Sequence, residues 1–213
     1  KKIHSIYITH QINVLAGVFT PITSFLHQKI IKKYTACWVP DFDAAQSDVT
    51  LAGKLSFSEK INALYLNPIS RLKKISVDVD IDYLILLSGP EPQRGFLEDI
   101  LFDAFKNMAD KRIVFVKGIM ETEQRQERNN HILVYNFATS TQIENLMNRA
   151  EVVICRSGYT TVMDLTVLNK KAFFIPTPGQ LEQEYLAKRL EFLKLAPFCN
   201  QENFKVEMLE LVK

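Results

Sequence analysis

Short apolar runs alternate along this chain with longer stretches in which apolar residues recur every three or four positions. The first pattern predicts strands buried on both faces, and the second predicts helices. Before residue 70, the runs at 6–9, 36–40 and 64–66 predict strands, and 20–33 predicts a helix with Pro21 near its start, where proline is tolerated. Residues 41–61 show no period and predict a loop-rich excursion. The stretch 71–80 is polar and charged, which marks it as a connector between two domains. Beyond it the rhythm is cleaner. Strands are predicted at 83–87, 113–116, 132–134, 151–155 and 172–175, and helices at 96–108, 141–148, 161–168, 183–194 and 206–212. The polar run 121–130 (ETEQRQERNN) predicts an exposed loop. This alternation makes the fold class α/β, with parallel sheets covered by helices on both faces. No fixed-period repeat points to a solenoid.

Composition narrows the function classes. A chain of 213 residues with 47% apolar and 23% charged positions is ordinary globular material, enough for one large domain or two small ones. Twenty-six basic residues against 24 acidic ones leave a net charge of +2, and the basic clusters (Lys29, Lys32, Lys33; Arg71, Lys73, Lys74) are short. That balance argues against a nucleic-acid partner, which calls for a basic stripe. Cys37, Cys155 and Cys199 form no CxxC pair, so neither zinc nor a redox pair is indicated. Cys37 and Cys155 read as small buried hydrophobes in a reducing, cytoplasmic setting. No secretory signal is visible in these residues, and the most apolar stretch, 12–26, falls short of the ~20 residues a bilayer span needs. Pro21 also interrupts it. The chain opens on Lys1 and enters a strand almost at once, so a preceding N-terminal portion is expected.

In an open α/β sheet, ligands bind at the carboxyl ends of the strands. Three turns there are unusual. In the first, Cys155-Arg156-Ser157-Gly158-Tyr159-Thr160-Thr161, a strand ends in a Ser-Gly turn and a helix follows. Free amides and the positive end of the helix dipole suit a phosphate there, and Gly158 allows close approach. Asp164, one turn in, suits sugar hydroxyls, but Thr161 and Asp164 also match a capping box that would only close the helix. The second turn, Pro176 to Glu184, is a stiff loop followed by Gln180, Glu182 and Gln183, side chains long enough to grip hydroxyls or simply to face solvent. The third, Ser88-Gly89-Pro90-Glu91-Pro92, is a tight turn whose prolines remove two donors.

The segment AEVVICRSGYTTVMDL resembles the donor-site signature of glycosyltransferase family 28, the lipid-II-forming N-acetylglucosaminyltransferases of peptidoglycan synthesis and their relatives. Further segments resemble that family in the same order: HQINVLAG from His10, LNPISR from Leu66, VYNFATST from Val134 and IPTPGQLEQEYLAK from Ile175. The resemblance spans nearly the whole chain. It implies a GT-B fold, two Rossmann-like domains facing across a cleft. Residues 1–72 would be the last part of the first, acceptor-side domain, and 73–213 nearly all of the donor-binding domain. It further implies that Ala138 meets the nucleobase through its backbone, that Tyr159, Thr160, Thr161, Val162 and Met163 line the diphosphate and sugar, and that Asp164 binds the ribose diol. Gln183, with Gln180 and Glu182 nearby, would hold the transferred sugar, and Asn13 would approach the donor. Arg71 stands one position beyond the family's phosphate-contacting arginine. SGPEP at Ser88 and Gly89 replaces the family's glycine-rich GGSQG, the largest departure.

The activity so implied is transfer of a sugar from a nucleoside-diphosphate donor, UDP-N-acetylglucosamine-like, to a hydroxyl acceptor, with neither cofactor nor metal expected. His10, at a strand end, is the candidate base. Orienting its loop is the equal alternative. The acceptor is open: a lipid-linked compound is one candidate, with residues 12–26 touching the inner face of a membrane or, alternatively, packing as an ordinary helix on a sheet. Two other functions fit the same scaffold, a non-catalytic nucleotide-sugar-binding subunit of a split transferase and a sugar-nucleotide epimerase.

Overall fold

The computed structural model describes residues 4–43, 46, 47 and 49–212. The chain divides into two compact units, Lys1–Ile69 and Ser70–Lys213.

The first unit holds a parallel three-stranded sheet in the order β1-β2-β3, from β1 (Ile6–Ile8), β2 (Ala36–Val39) and β3 (Ala63–Tyr65). Helix α1 (Thr20–Ile31) carries Pro21 in its first turn, as the pattern predicts, and Ile12, Ile31, Cys37, Val39 and Ile61 form the core. The apolar stretch 12–26 does not all pack on the sheet. Ile12 is fully buried, whereas Val18, Phe19, Ile22, Phe25 and Leu26 stay exposed. The excursion after β2 is organised by one carboxylate. Asp41 is fully buried and accepts the amides of Phe42, Leu51 and Ala52 at 2.7–2.9 Å and the Ser56 hydroxyl at 3.0 Å. Such saturation is what a buried carboxylate requires, and it gives this loop order without periodicity.

The second unit is a six-stranded sheet in the order β6-β7-β5-β4-β8-β9, from β4 (Ile81–Leu86), β5 (Ile113–Val116), β6 (Gln126–Asn129), β7 (Ile132–Tyr135), β8 (Ala150–Cys155) and β9 (Lys171–Phe174). All neighbours pair parallel except β6 with β7. Helices α2 (Gln93–Phe105), α3 (Ser140–Arg149), α4 (Tyr159–Leu168) and α5 (Leu181–Phe192) complete it. Phe105, Phe115, Ile154, Phe173 and Ile175 lie at the centre of its core. The β4, β5 and β8 runs are apolar because helices cover both faces of a parallel sheet.

Several boundaries differ from expectation. The run 121–130 is not all loop: Gln126–Asn129 forms an edge strand whose four residues are exposed, so no apolar alternation announces it. Residues Val206–Leu211 form a 3-10 helix instead of an α-helix. The polar stretch after Ile69 is fastened to the second unit rather than free. Lys73 N–H donates to Glu144 at 2.6 Å, Ile75 N–H to Asn148 Oδ1 at 3.1 Å, and Arg149 clasps Asp80 through two 2.7 Å bonds.

Candidate donor site

The strand order places the crevice. The chain steps outward from β4 to β5 and β7, then crosses back to β8 and β9, so connections leave β4 and β8 in opposite directions. That reversal is where open α/β sheets bind ligands. Leu86 lies opposite Cys155, so the Ser88-Gly89 turn and the Arg156-Ser157-Gly158 turn begin at the same level. Ser88 and Gly89 are exposed, and Gly89 sits at φ +102°. Gly118, after β5, is pressed against the same edge: an added Cβ would lie 2.5 Å from Leu87 O.

Helix α4 starts two residues earlier than predicted. Its N-cap is Gly158, and its first intrahelical bond runs from Val162 N–H to Gly158 O at 3.0 Å. Thr161 therefore lies inside the first turn, and the Thr161–Asp164 capping box does not form. No side chain caps this end, and no acidic residue occupies its first turn. By contrast, α3 carries a complete capping box from Thr139 and Gln142. An uncapped helix start presents amide hydrogens and the positive end of the dipole to whatever lies ahead.

Gly158 sharpens this. Its φ of −70° suits any residue, and an added Cβ would meet nothing within 4 Å. Neither backbone strain nor packing among the described residues requires a glycine at this position.

The other predicted residues fall into distinct classes. Ser157 is buried and donates its hydroxyl to Gln183 O at 2.7 Å, and the side chains of Tyr159 and Val162 are buried too, so these three offer a ligand backbone only. Thr160 is exposed, and Thr161 and Met163 are half-buried. Asp164 accepts the Ser70 hydroxyl at 2.5 Å. Burial pushes its carboxyl above the usual range, and the Ser70 bond and the Arg71 charge work against that. Arg71 is exposed on the same segment as Ser70. Ser70 was not singled out from the sequence, because nothing in LNPISR signals a contact 94 residues away.

In the β9–α5 loop, Gln183 Oε1 accepts Thr177 N–H at 2.8 Å and Glu184 accepts Gly179 N–H at 2.9 Å. Gln183 thus shapes the loop through its side-chain oxygen. Gln180 is exposed and Glu182 half-buried. Ala138 sits in the β7–α3 loop, where Gln124 Nε2 donates to Phe137 O at 2.8 Å and Asn136 Oδ1 accepts the Arg125 and Phe137 amides. Burial pushes the Cys155 thiol upward, away from a reactive thiolate. Among the described residues, no group of three or more His, Cys, Asp or Glu side chains is placed to hold a metal ion.

In the first unit, half-buried His10 follows β1. Asn13 donates its amide to Lys54 O and Phe57 O at 2.7 and 2.8 Å and accepts Gln28 Nε2 at 2.8 Å, so its side chain braces the loop after β2.

From the sequence, Arg156 has no role of its own within the turn after β8, and the fold encloses it. Arg156 is 1% exposed, and its guanidinium bonds Ile175 O, Pro176 O, Gln93 O and Gln201 Oε1. An arginine at the end of an apolar strand reads as solvated, and only the fold shows it enclosed.

Residues 99–212 match the family model of the glycosyltransferase family 28 C-terminal domain, more than half of the chain. The chain belongs to glycosyltransferase family 28. Among curated proteins it is 26% identical over 146 residues to the UDP-N-acetylglucosamine--N-acetylmuramyl-(pentapeptide) pyrophosphoryl-undecaprenol N-acetylglucosamine transferase of Sulfurihydrogenibium sp. (strain YO3AOP1), covering 68% of this chain and 41% of that protein. A protein of the same description, numbered 2, from Bacillus thuringiensis (strain Al Hakam) is 23% identical over 184 residues, covering 80% and 47%. The chain thus spans under half the length of these family 28 relatives. Among solved structures, the glycotransferase of kitacinnamycin aligns with a TM-score of 0.62 at 13% identity, over 97% of this chain and 60% of that one. MurG of Acinetobacter baumannii aligns with a TM-score of 0.56 at 17% identity, over 96% and 59%. The fold is the α/β GT-B type of these glycosyltransferases.

Proposed function

We propose that this family 28 chain is the donor-binding part of a glycosyltransferase that moves a sugar from a UDP-sugar, UDP-N-acetylglucosamine-like, to a hydroxyl acceptor. The observation that carries this is Gly158, a glycine that nothing in the chain requires, at an uncapped helix start in the switch-point crevice. As the bond from the anomeric carbon to the diphosphate oxygen breaks, negative charge grows on the departing nucleotide. Preorganised amides and the α4 dipole stabilise that charge where it develops. The dipole contributes up to ~2 kcal/mol when partly buried, against the ~8–23 kcal/mol a typical enzyme supplies. Positioning by the Ala138 loop, Asp164 and the Gln180–Gln183 turn must supply much of the rest. His10 is the proposed base, taking the acceptor hydroxyl's proton as that oxygen bonds the anomeric carbon.

The relatives' descriptions name a pyrophosphoryl-undecaprenol compound, which supports a lipid-linked acceptor here and work at the cytoplasmic face of a membrane. No helix of the described residues is long and apolar enough to cross one. The exposed apolar residues of α1, with Lys29, Lys32 and Lys33 alongside, support a peripheral contact.

A panel of nucleotide sugars titrated calorimetrically into the full-length protein tests the reading. One UDP-sugar is expected to bind in the ~1 μM–1 mM range usual for substrates, and Asp164→Ala to weaken it. Absence of binding by every donor sinks the proposal, and unimpaired binding in the variant removes Asp164 from the site. Product analysis then distinguishes a new glycoside from an epimerised donor.

A further inference from the structure

We infer that the buried guanidinium of Arg156 is a positioning residue for the donor diphosphate, supplying a fixed positive charge behind the α4 amide end and locking the loops around it. This rests on the proposed reading of that helix end as the phosphate site. Arginine is rarely buried so completely without a carboxylate partner. Here the four acceptors are neutral: Ile175 O and Pro176 O at 3.1 Å, Gln93 O at 2.8 Å and Gln201 Oε1 at 2.7 Å. None of the ion pairs among the described residues uses Arg156. Its Nε has no hydrogen-bond partner, and Gln93 Oε1 is a second buried atom without one. A charge taken from water without a counter-charge is costly to the fold, and satisfying four neutral oxygens does not by itself call for a cation.

The position gives the charge a use. Arg156 stands two residues before the N-cap Gly158. Through Ile175 and Pro176 it holds the start of the β9–α5 loop, and through Gln93 the first residue of α2, across the switch point. One side chain therefore fixes the turns proposed to surround the donor, and a dianionic diphosphate ahead of the helix is the missing counter-charge. Burial pushes the guanidinium down to about 10, so it remains a cation at neutral pH.

The test compares UDP with uridine, measured by NMR titration on the full-length wild type, Arg156→Lys and Arg156→Gln, with melting curves for each. UDP affinity is expected to fall about tenfold or more in Arg156→Gln and to stay within about threefold in Arg156→Lys, with uridine nearly unchanged in both, because only the phosphates sense the charge. Should Arg156→Gln not fold, Arg156→Lys carries the test alone: a buried ammonium loses its proton at lower pH than an exposed one. Its UDP affinity should then decline between about pH 7 and about pH 8.5, below the range in which the wild-type guanidinium itself titrates, while the wild type's holds. Equal losses of UDP and uridine in both variants, or wild-type UDP affinity in Arg156→Gln, or a pH-independent Arg156→Lys, would overturn the role. If the wild type itself binds no UDP, the donor-site reading fails, and this inference with it.

Discussion

Gly118 has a φ of +71°, and Leu87 O stands where a methyl group would go. Alanine there meets both backbone strain and a carbonyl oxygen that cannot swing aside. Strain of this kind costs about 1–3 kcal/mol, so Gly118→Ala should lower the free energy of unfolding by that amount in denaturant titrations. An unchanged midpoint would mean that the two strand ends are not in contact. Asp164 makes a prediction about pH. Its carboxyl is raised chiefly by burial, against the Ser70 hydrogen bond and the Arg71 charge. A raised carboxyl contributes stability that is fully present below its ordinary value, about 3.9, and lost as pH rises through the raised one. Asp164→Asn does not ionise, so its melting temperature should gain on the wild type's between about pH 4 and pH 7. A difference independent of pH would contradict the shift.

At the scale of elements, the starts of α3 and α4 are closed differently. Thr139 and Gln142 close the start of α3 reciprocally, and Gln142 also exchanges hydrogen bonds with Gln124. Thr139→Ala should cost about 0.5–2 kcal/mol, read by chemical denaturation; no loss would mean that the cap is redundant. The start of α4 has no such closure. The exposed face of α1 carries the membrane proposal. Phe19→Ser with Phe25→Ser should reduce co-sedimentation of the full-length protein with anionic vesicles severalfold, whereas undiminished binding would assign those side chains to another surface.

For the molecule as a whole, the β/α alternation was legible because helix-covered parallel strands must be continuously apolar, as in Leu84, Ile85 and Leu87 or Val152, Val153 and Ile154. The edge strand Gln126–Asn129 was not, since a polar strand exposed on every residue carries no burial pattern. The strand-turn-helix around Gly158 was legible too, but its details misled. Thr161 and Asp164 have capping spacing, yet the helix begins ahead of them and a glycine stands at its cap. Long-range partners such as Ser70 for Asp164, or Gln93 for Arg156, leave no local mark at all.

The central claim, that the donor diphosphate lies on the amides that begin α4, is tested most directly by titrating UDP into Gly158→Ala and the wild type while recording both melting curves. The predicted result is an unchanged or slightly higher melting temperature with UDP affinity lower by about tenfold, since the new methyl group meets nothing in the chain but stands where the ligand must approach. Equal UDP affinity in the two proteins would contradict it.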